Sequence, residues 1–479
     1  MPLPSCRVSI GSGLEIPVGG SILSSFTAEN LRTLNHQDTP KWLCERRVES
    51  YNAFESMPRP SEKEEVWRYT PIDALDLDAY SILPALPRGA SEVGQGYLEK
   101  ELFFEPTRWS STVSGDLGQR EFSGNGLVGG AKVGGLELDA AEESLGSVMR
   151  GGDALVRLND AFHPDAVVVD IPDGVRLGAP ILIYTWLPDS FETRPAYFPR
   201  TLVRVGEGSD VRIVEVVSGP PGVKGALVVP VTEIVVGDGG SVSYVTLQTL
   251  GSNVWHIARS ASRVGERAKL KLFTVGLGSH YDRVRVDVSL VGRGASSELN
   301  SVYLGRDDQV HDIRTQQDHN APQTTSDLLC KGAVADSSRS VYSGLIRISH
   351  GAVRSEAMQT NHNLVLDESA HADSVPNLDI KENDVRCSHA STVGPIDEDR
   401  RFYVESKGVP PETAERLIVM GFFDDIVSKC PIEEADSFLR AEVGSGLKDA
   451  LGELPGLPNA ADAGQERRSG STGSAGQVR

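Results

Sequence analysis

Val205-Gly206 followed by EGSDVRIVEV (207–216), Val236-Gly237 followed by DGGSVSYVTL (238–247), Val264-Gly265 followed by ERAKLKLFTV (266–275) and Val291-Gly292 followed by RGASSELNSV (293–302) repeat one unit. Each unit is a valine, a glycine, a short polar turn and a β-prone run. The glycines stand 31, 28 and 27 residues apart. The next comparable turn, His350-Gly351-Ala352, lies 59 residues beyond Gly292, close to two periods, with a turn at Asn320-Ala321-Pro322 near the midpoint. A drifting period in this range marks a stacked solenoid. One coil cannot bury its apolar face alone, whereas stacked coils bury a continuous core and pair their backbones along parallel ladders. On this pattern alone, a β-sandwich with evenly spaced turns stays open as the alternative.

Working outward, β-branched runs begin near Ala166 with AVVVDI, PILIYTWL and TLVRV, and helical patterning all but vanishes for some 200 residues. Upstream, the chain reads as helical with interruptions. Thr39-Pro40 sets a cap and an N1 proline before KWLCERRVESYNAF, whose Trp42, Leu43, Val48, Tyr51 and Phe54 supply apolar positions. Ser110 to Gly135, crowded with Gly and Ser, is expected to be a mobile loop, and Ala141 to Phe162 a helix that ends at His163-Pro164. Downstream of Gly394, Asp397 caps a helix that stops at Gly408, Pro410-Pro411 opens a second, and Pro431 opens a third running to about Leu451. The predicted division is a helical region over 1–162 with a Gly-rich loop at about 110–138, a β-helix over 163–395, a helical domain over 396–454 and a disordered tail over 455–479.

Composition narrows the function. Hydrophobic residues at 39%, charged residues at 24% and aromatics at 6% describe a globular protein with a mostly aliphatic core. A formal net charge of -20 opposes binding to nucleic acid or an anionic membrane surface, so proteins, metals or small molecules are the expected partners. The N-terminus lacks a basic start followed by an apolar run, and no stretch approaches the roughly 20 apolar residues of a membrane span, which predicts a cytoplasmic protein. Cys6, Cys44, Cys330, Cys387 and Cys430 are widely spaced with no C-x-x-C pair, so neither a disulfide framework nor a self-contained metal site is encoded. No G-x-x-x-x-G-K-[ST] occurs, so any ATP dependence belongs to another chain.

The run VPNLDIKENDVRCSHASTVGPIDEDRRFYVESKGVPPETAERLIVMGFFDDIV, from Val375 to Val427, resembles the C-terminal signature of the SufB/SufD family of iron-sulfur cluster assembly proteins. VWRYTPID, from Val66, resembles the N-terminal segment typical of its SufD branch, and SEAMQTNHNLVLDESAHADSVP leads into the signature. The resemblance implies a right-handed parallel β-helix between N- and C-terminal helical regions. It also implies a non-catalytic scaffold that pairs with SufB through the β-helix and docks the ATPase SufC on its C-terminal helices. SufB-like sequences carry Glu-His-Glu where this chain reads Cys387-Ser388-His389, and a cysteine shortly before the Val-Pro where it reads Ser369-Ala370-His371-Ala372. Both departures favour the SufD branch and imply reliance on a partner for the sulfur-accepting cysteine.

Cys387 and His389 lie two apart in an extended segment, so both face one side of a strand and suit iron. Two ligands do not saturate a tetrahedral iron, so a nascent cluster shared across a subunit interface fits the chemistry better than an internal site. By sequence alone a Cys-x-His pair is more often incidental, and the family resemblance is what reverses the weighting. Cys330, Cys44 and Cys430 read as small apolar residues. His362 and His371 read as surface groups or donors behind the ligands. Leu417, Ile418, Phe422 and Phe423 are expected to dock SufC, although most of that helical face also reads as core. No flavin fingerprint is present and flavin stays open, as does a homodimer in isolation. The competing readings are a SufB-like scaffold and a β-helix polysaccharide enzyme, the latter opposed by the missing export signal.

Overall fold

The glycine spacing reappears as hydrogen-bonding register. In the computed structural model, Val211 pairs with Val242, Val242 with Leu270, and Leu270 with Ser297, offsets of 31, 28 and 27 residues. The structure describes residues 26–35, 39–82, 111–116, 119–123, 127–149, 152–187, 194–220 and 225–452, so Cys6 and the tail from 453 lie outside it. Between 181 and 394 the chain winds a β-solenoid of about seven turns. Each turn gives one strand to each of two sheets, one ending at His371–Ile380 and the other at Arg386–Gly394.

Glycine marks the corners because successive backbones touch there. A Cβ on Gly292 would lie 2.0 Å from the Glu266 nitrogen and 2.2 Å from the Gly265 carbonyl carbon. Space between coils, not a left-handed φ, is what requires glycine at this position.

Valine, isoleucine and leucine from both sheets fill the lumen of the first coils, among them Val167, Val169, Val203, Val205, Ile234 and Val236. Helices cover the outer faces. On the first sheet lie α1 (Ala28–Leu34), α2 (Lys41–Ser56), α3 (Asp139–Ser144) and α4 (Ala154–Phe162). Phe54, Trp67, Leu158 and Phe162 pack there on Phe198, Trp255 and Tyr281. Trp67 is fully buried, and the guanidinium of Arg283 sits 3.9 Å from its ring centroid while donating to the Val66 carbonyl at 2.7 Å. Arg314 donates to the Arg68 carbonyl at 2.7 Å, and Asp312 accepts from Arg283, Arg314 and the Tyr281 hydroxyl. The VWRYTPID segment is therefore an anchor onto the middle of the solenoid.

On the second sheet lie α5 (Glu398–Glu405), α6 (Pro411–Val427) and α7 (Glu433–Leu451), as the capping signals predict. Asp397 accepts from the amides of Asp399 and Arg400. Val419, Phe423, Ile426, Phe438 and Leu439 seat this group on Val216, Leu247, Phe273 and Leu304.

Two expectations change. Ala141 to Phe162 is not one helix, because Gly146 takes φ +68 and Asp153 caps a new helix through the amides of Leu155 and Val156. The Gly/Ser-rich stretch 110–135 is not all loop. It contains an antiparallel pair, Ser111–Asp116 with Gln119–Ser123, which joins the second sheet beside Ile181–Trp186, and Lys132–Gly134 pairs antiparallel with Val167–Ile171. Backbone pairing supplies order that the side-chain pattern does not reveal.

Candidate ligand site at the open end of the solenoid

The N-terminal coils end on these antiparallel strands. Among the described residues no strand stacks on His371–Ile380 or Arg386–Gly394 from the other side. Cys387 and His389 lie in that last strand.

Arg386–Gly394 pairs in parallel with Glu356–Val365, setting Cys387 over Ala357, His389 over Gln359 and Ser391 over Asn361. Cys387 is half-buried against Ile346, Ile348, Ala352 and Ala357, so its thiol faces the lumen. Alternation along the strand turns His389 to the same side, where it remains exposed because nothing stacks above it. Burial pushes the Cys387 thiol above its ordinary pKa, so metal binding here must displace a proton. Among the described residues no three His, Cys, Asp or Glu side chains converge to hold a metal.

Beneath these two residues the lumen is polar. The Ser391 hydroxyl donates to the Ser374 hydroxyl at 2.7 Å, bridging the last strands of the two sheets, and Ser374 donates to Asn361 Oδ1 at 2.8 Å. Asn361 Nδ2 donates to the Tyr303 hydroxyl at 3.0 Å, which donates to Asn363 Oδ1 at 2.6 Å. His319, whose ring nitrogens lie 2.7 Å from Thr324 Oγ1 and 2.9 Å from Ser326 Oγ, is pushed down to about 4 by burial and is neutral at physiological pH. Deeper still, Asp282 bridges His256 at 2.7 Å and His311 at 3.2 Å. Burial alone would raise the Asp282 carboxyl, but the two imidazoles outweigh it and hold the group below its ordinary value. None of these lumen groups was singled out from the sequence. For Asn361 and Asn363 the signal was the polar run T-N-H-N over 360–363, which reads as a solvent-facing strand until the register shows which side is inward.

The other expected residues separate. Cys330 is fully buried in the lumen and Cys44 in α2, Cys430 is half-buried, His371 is exposed beside Asp373 at 3.3 Å, and His362 lines a cleft between the last coils and α5–α6. In that cleft Lys331 Nζ lies 2.5 Å from Asp425 and 4.7 Å from the Phe422 ring centroid, so Phe422 and Ile418 are half-buried. Phe423, expected on a docking surface, is 1% exposed and instead holds α6 to the sheet. Leu417 is 39% exposed.

Comparison with known proteins accounts for this architecture. The model of the SUF system FeS cluster assembly SufBD core domain matches residues 190–422, which takes in the solenoid from Arg194–Tyr197 onward and α6 as far as Phe422. The chain belongs to the SufBD family. It is similar to the iron-sulfur cluster assembly protein SufD of Bacillus subtilis, 26% identical over 452 residues, covering 88% of this chain and 96% of that one. An iron-sulfur cluster assembly SufBD family protein of Mycobacterium tuberculosis is 34% identical over 219 residues, 44% of this chain and 55% of its own length. Another from Staphylococcus saprophyticus is 24% identical over 420 residues, covering 84% and 88%. As a SufD-like member of the iron-sulfur assembly machinery, this SufBD protein carries Cys387 and His389 within the matched region. Among the described residues no helix is long and apolar enough to cross a membrane.

Proposed function

We propose that this chain is the SufD-type scaffold subunit of a SufB–SufC–SufD complex, contributing His389 and Cys387 to a nascent iron-sulfur cluster shared with SufB. The observation that carries this reading is the open end of the solenoid. There the two side chains stand at the lumen mouth, with the apolar Val393 of their own strand exposed to 43% and Leu378 and Ile380 of the other sheet's last strand exposed to 37% and 41%. A parallel sheet edge with unpaired backbone beside exposed aliphatic side chains is suited to a second β-helix, and a partner there would bring the ligands that one chain lacks. SufC docks on the exposed side of α6 and α5, where Leu417, Met420, Phe402 and Tyr403 are accessible and Ile418 and Phe422 lie half-buried behind them. SufC supplies the ATP hydrolysis and the partner chain the sulfur-accepting thiol.

The test is co-expression with SufB and SufC, purification through a tag on this chain alone, and measurement of subunit ratio and iron-sulfur absorbance under anaerobic conditions. Recovery of both partners with cluster absorbance is the expected result. A folded chain that retains neither partner nor iron, or that pairs only with itself, overturns it. Replacing Leu417 by Asp is expected to reduce SufC recovery while leaving SufB bound.

A further inference from the structure

We infer that Gln359 is the residue that orients the His389 imidazole, an inference that rests on the ligand reading above. The observation behind it is a single ladder of lumen-facing side chains. From coil to coil the positions in register are Tyr244, Leu272, Leu299, Leu328, Gln359 and His389. Three leucines in succession give way to an amide only at the position directly beneath the histidine.

That amide is 0% exposed, and neither its Nε2 nor its Oε1 has a hydrogen-bonding partner in the protein. A buried amide with both ends unpaired destabilises a fold, and leucine fills the same column without that cost in the three coils before it. The opposite sheet leaves room for Gln359. A Cβ on Gly344 would lie 2.4 Å from the Tyr342 hydroxyl and 2.5 Å from both Nε2 and Oε1 of Gln359, so glycine there leaves room for the hydroxyl and the amide together. The neighbouring lumen positions of the last strand are different. Cys387 stands over Ala357, which has nothing to offer, and Ser391 over Asn361, whose oxygen already accepts from Ser374 and Asn363. Of these three positions, only His389 rests on an amide whose two ends are both uncommitted.

A metal-ligating histidine is generally oriented by a hydrogen bond from its second ring nitrogen to an acceptor behind it. Gln359 Oε1 is that acceptor. Unpaired in this structure, it takes the N–H of the inward ring nitrogen once the imidazole turns down onto it, and so fixes the tautomer that leaves the other nitrogen's lone pair toward the open end. Gln359 is thus a positioning residue, acting through His389 and not on the cluster itself.

The test uses the full chain with selectively 15N-labelled histidine, the His389 signal being assigned by its loss in His389→Ala. The expected result is one dominant His389 tautomer in the unaltered chain and a mixture in Gln359→Leu, whose Tm stays the same or rises because an unpaired buried amide has been replaced by the residue of the coil below. Gln359→Glu, which keeps an accepting oxygen, restores the single tautomer. Titration with Co2+ alone is expected to show affinity roughly 10- to 100-fold lower in Gln359→Leu, recovered in Gln359→Glu. A tautomer mixture already present in the unaltered chain overturns the inference even if Gln359→Leu does not fold, as does a single tautomer that Gln359→Leu leaves unchanged. If His389→Ala takes up Co2+ as well as the unaltered chain, the ligand reading fails, and the orienting role is then decided by the tautomer alone.

Discussion

The two ends of the solenoid are built from the same coil and differ in nearly everything else. Toward the N-terminus the lumen is mostly aliphatic, its buried Glu215 fully engaged by the Thr201 and Tyr244 hydroxyls, both outer faces are covered by helices, and antiparallel strands close the stack. Toward the C-terminus the lumen holds Gln317, His319, Gln359, Asn361 and Asn363, the outer faces of the last strands are bare, and the stack is open. The difference shows how a repeat architecture separates stability from chemistry. Coils that touch neighbours on both sides bury enough apolar surface to carry the fold, leaving the last coil free to hold side chains that a self-sufficient domain would not tolerate.

The strongest way to break this division is to attack the stacking. Gly292→Ala inserts a methyl where the backbone of the preceding coil lies 2.0 Å away, and is expected to cost at least about 4 kcal/mol in denaturant unfolding, or to abolish soluble expression. Within the closed half, Ile234→Ala empties a fully buried lumen position and is expected to cost roughly 3 kcal/mol. The contrast with Gln359→Leu in the open half, expected to be neutral or stabilising, is the sharpest test of the comparison.

A smaller effect is pH-dependent. His319 titrates at about 4 in the fold against 6.5 for the free side chain. Between those values the unfolded chain binds a proton that the folded chain refuses. The stability that this group contributes is therefore complete above pH 6.5 and is lost as pH falls toward 4, by up to roughly 3 kcal/mol. His319→Gln is expected to flatten that part of the stability profile. Smallest in stability and largest in function is His389→Ala, expected to change unfolding free energy by less than about 0.5 kcal/mol because the side chain is exposed, while cluster yield in the assembled complex falls. Normal yield in a fully assembled complex removes His389 from the site.

What the sequence revealed follows the same line. The stacking was legible because close backbone approach excludes a Cβ, so Gly206, Gly237, Gly265 and Gly292 record the register directly. The C-terminal helices were legible from Asp397 and the prolines at 410, 411 and 431. The break before α4 had a signal that periodicity overrode, namely Gly151-Gly152-Asp153, glycines and a cap in the middle of an apolar pattern. The strands at 111–123 had none, since pairing there runs through the backbone. Cys387 and His389 were proposed from family resemblance and their spacing. Gln359 and the Ser391–Ser374–Asn361 chain were invisible, because a polar residue at every second position reads as a wet face and only three-dimensional register turns it inward. Phe423 misled for the converse reason: an aromatic on a helix face looks the same whether a partner or the chain's own sheet covers it.

The Trp67 anchor also constrains how the chain assembles itself. Val66 receives its hydrogen bond from Arg283, 217 residues later, and Arg68 from Arg314, 246 residues later. During synthesis the N-terminal segment emerges long before its seat exists, and it can lock down only after the coils carrying those arginines have been wound. The earliest part of the chain is thus among the last to find its place, and premature release of a shortened chain leaves Trp67 without a berth.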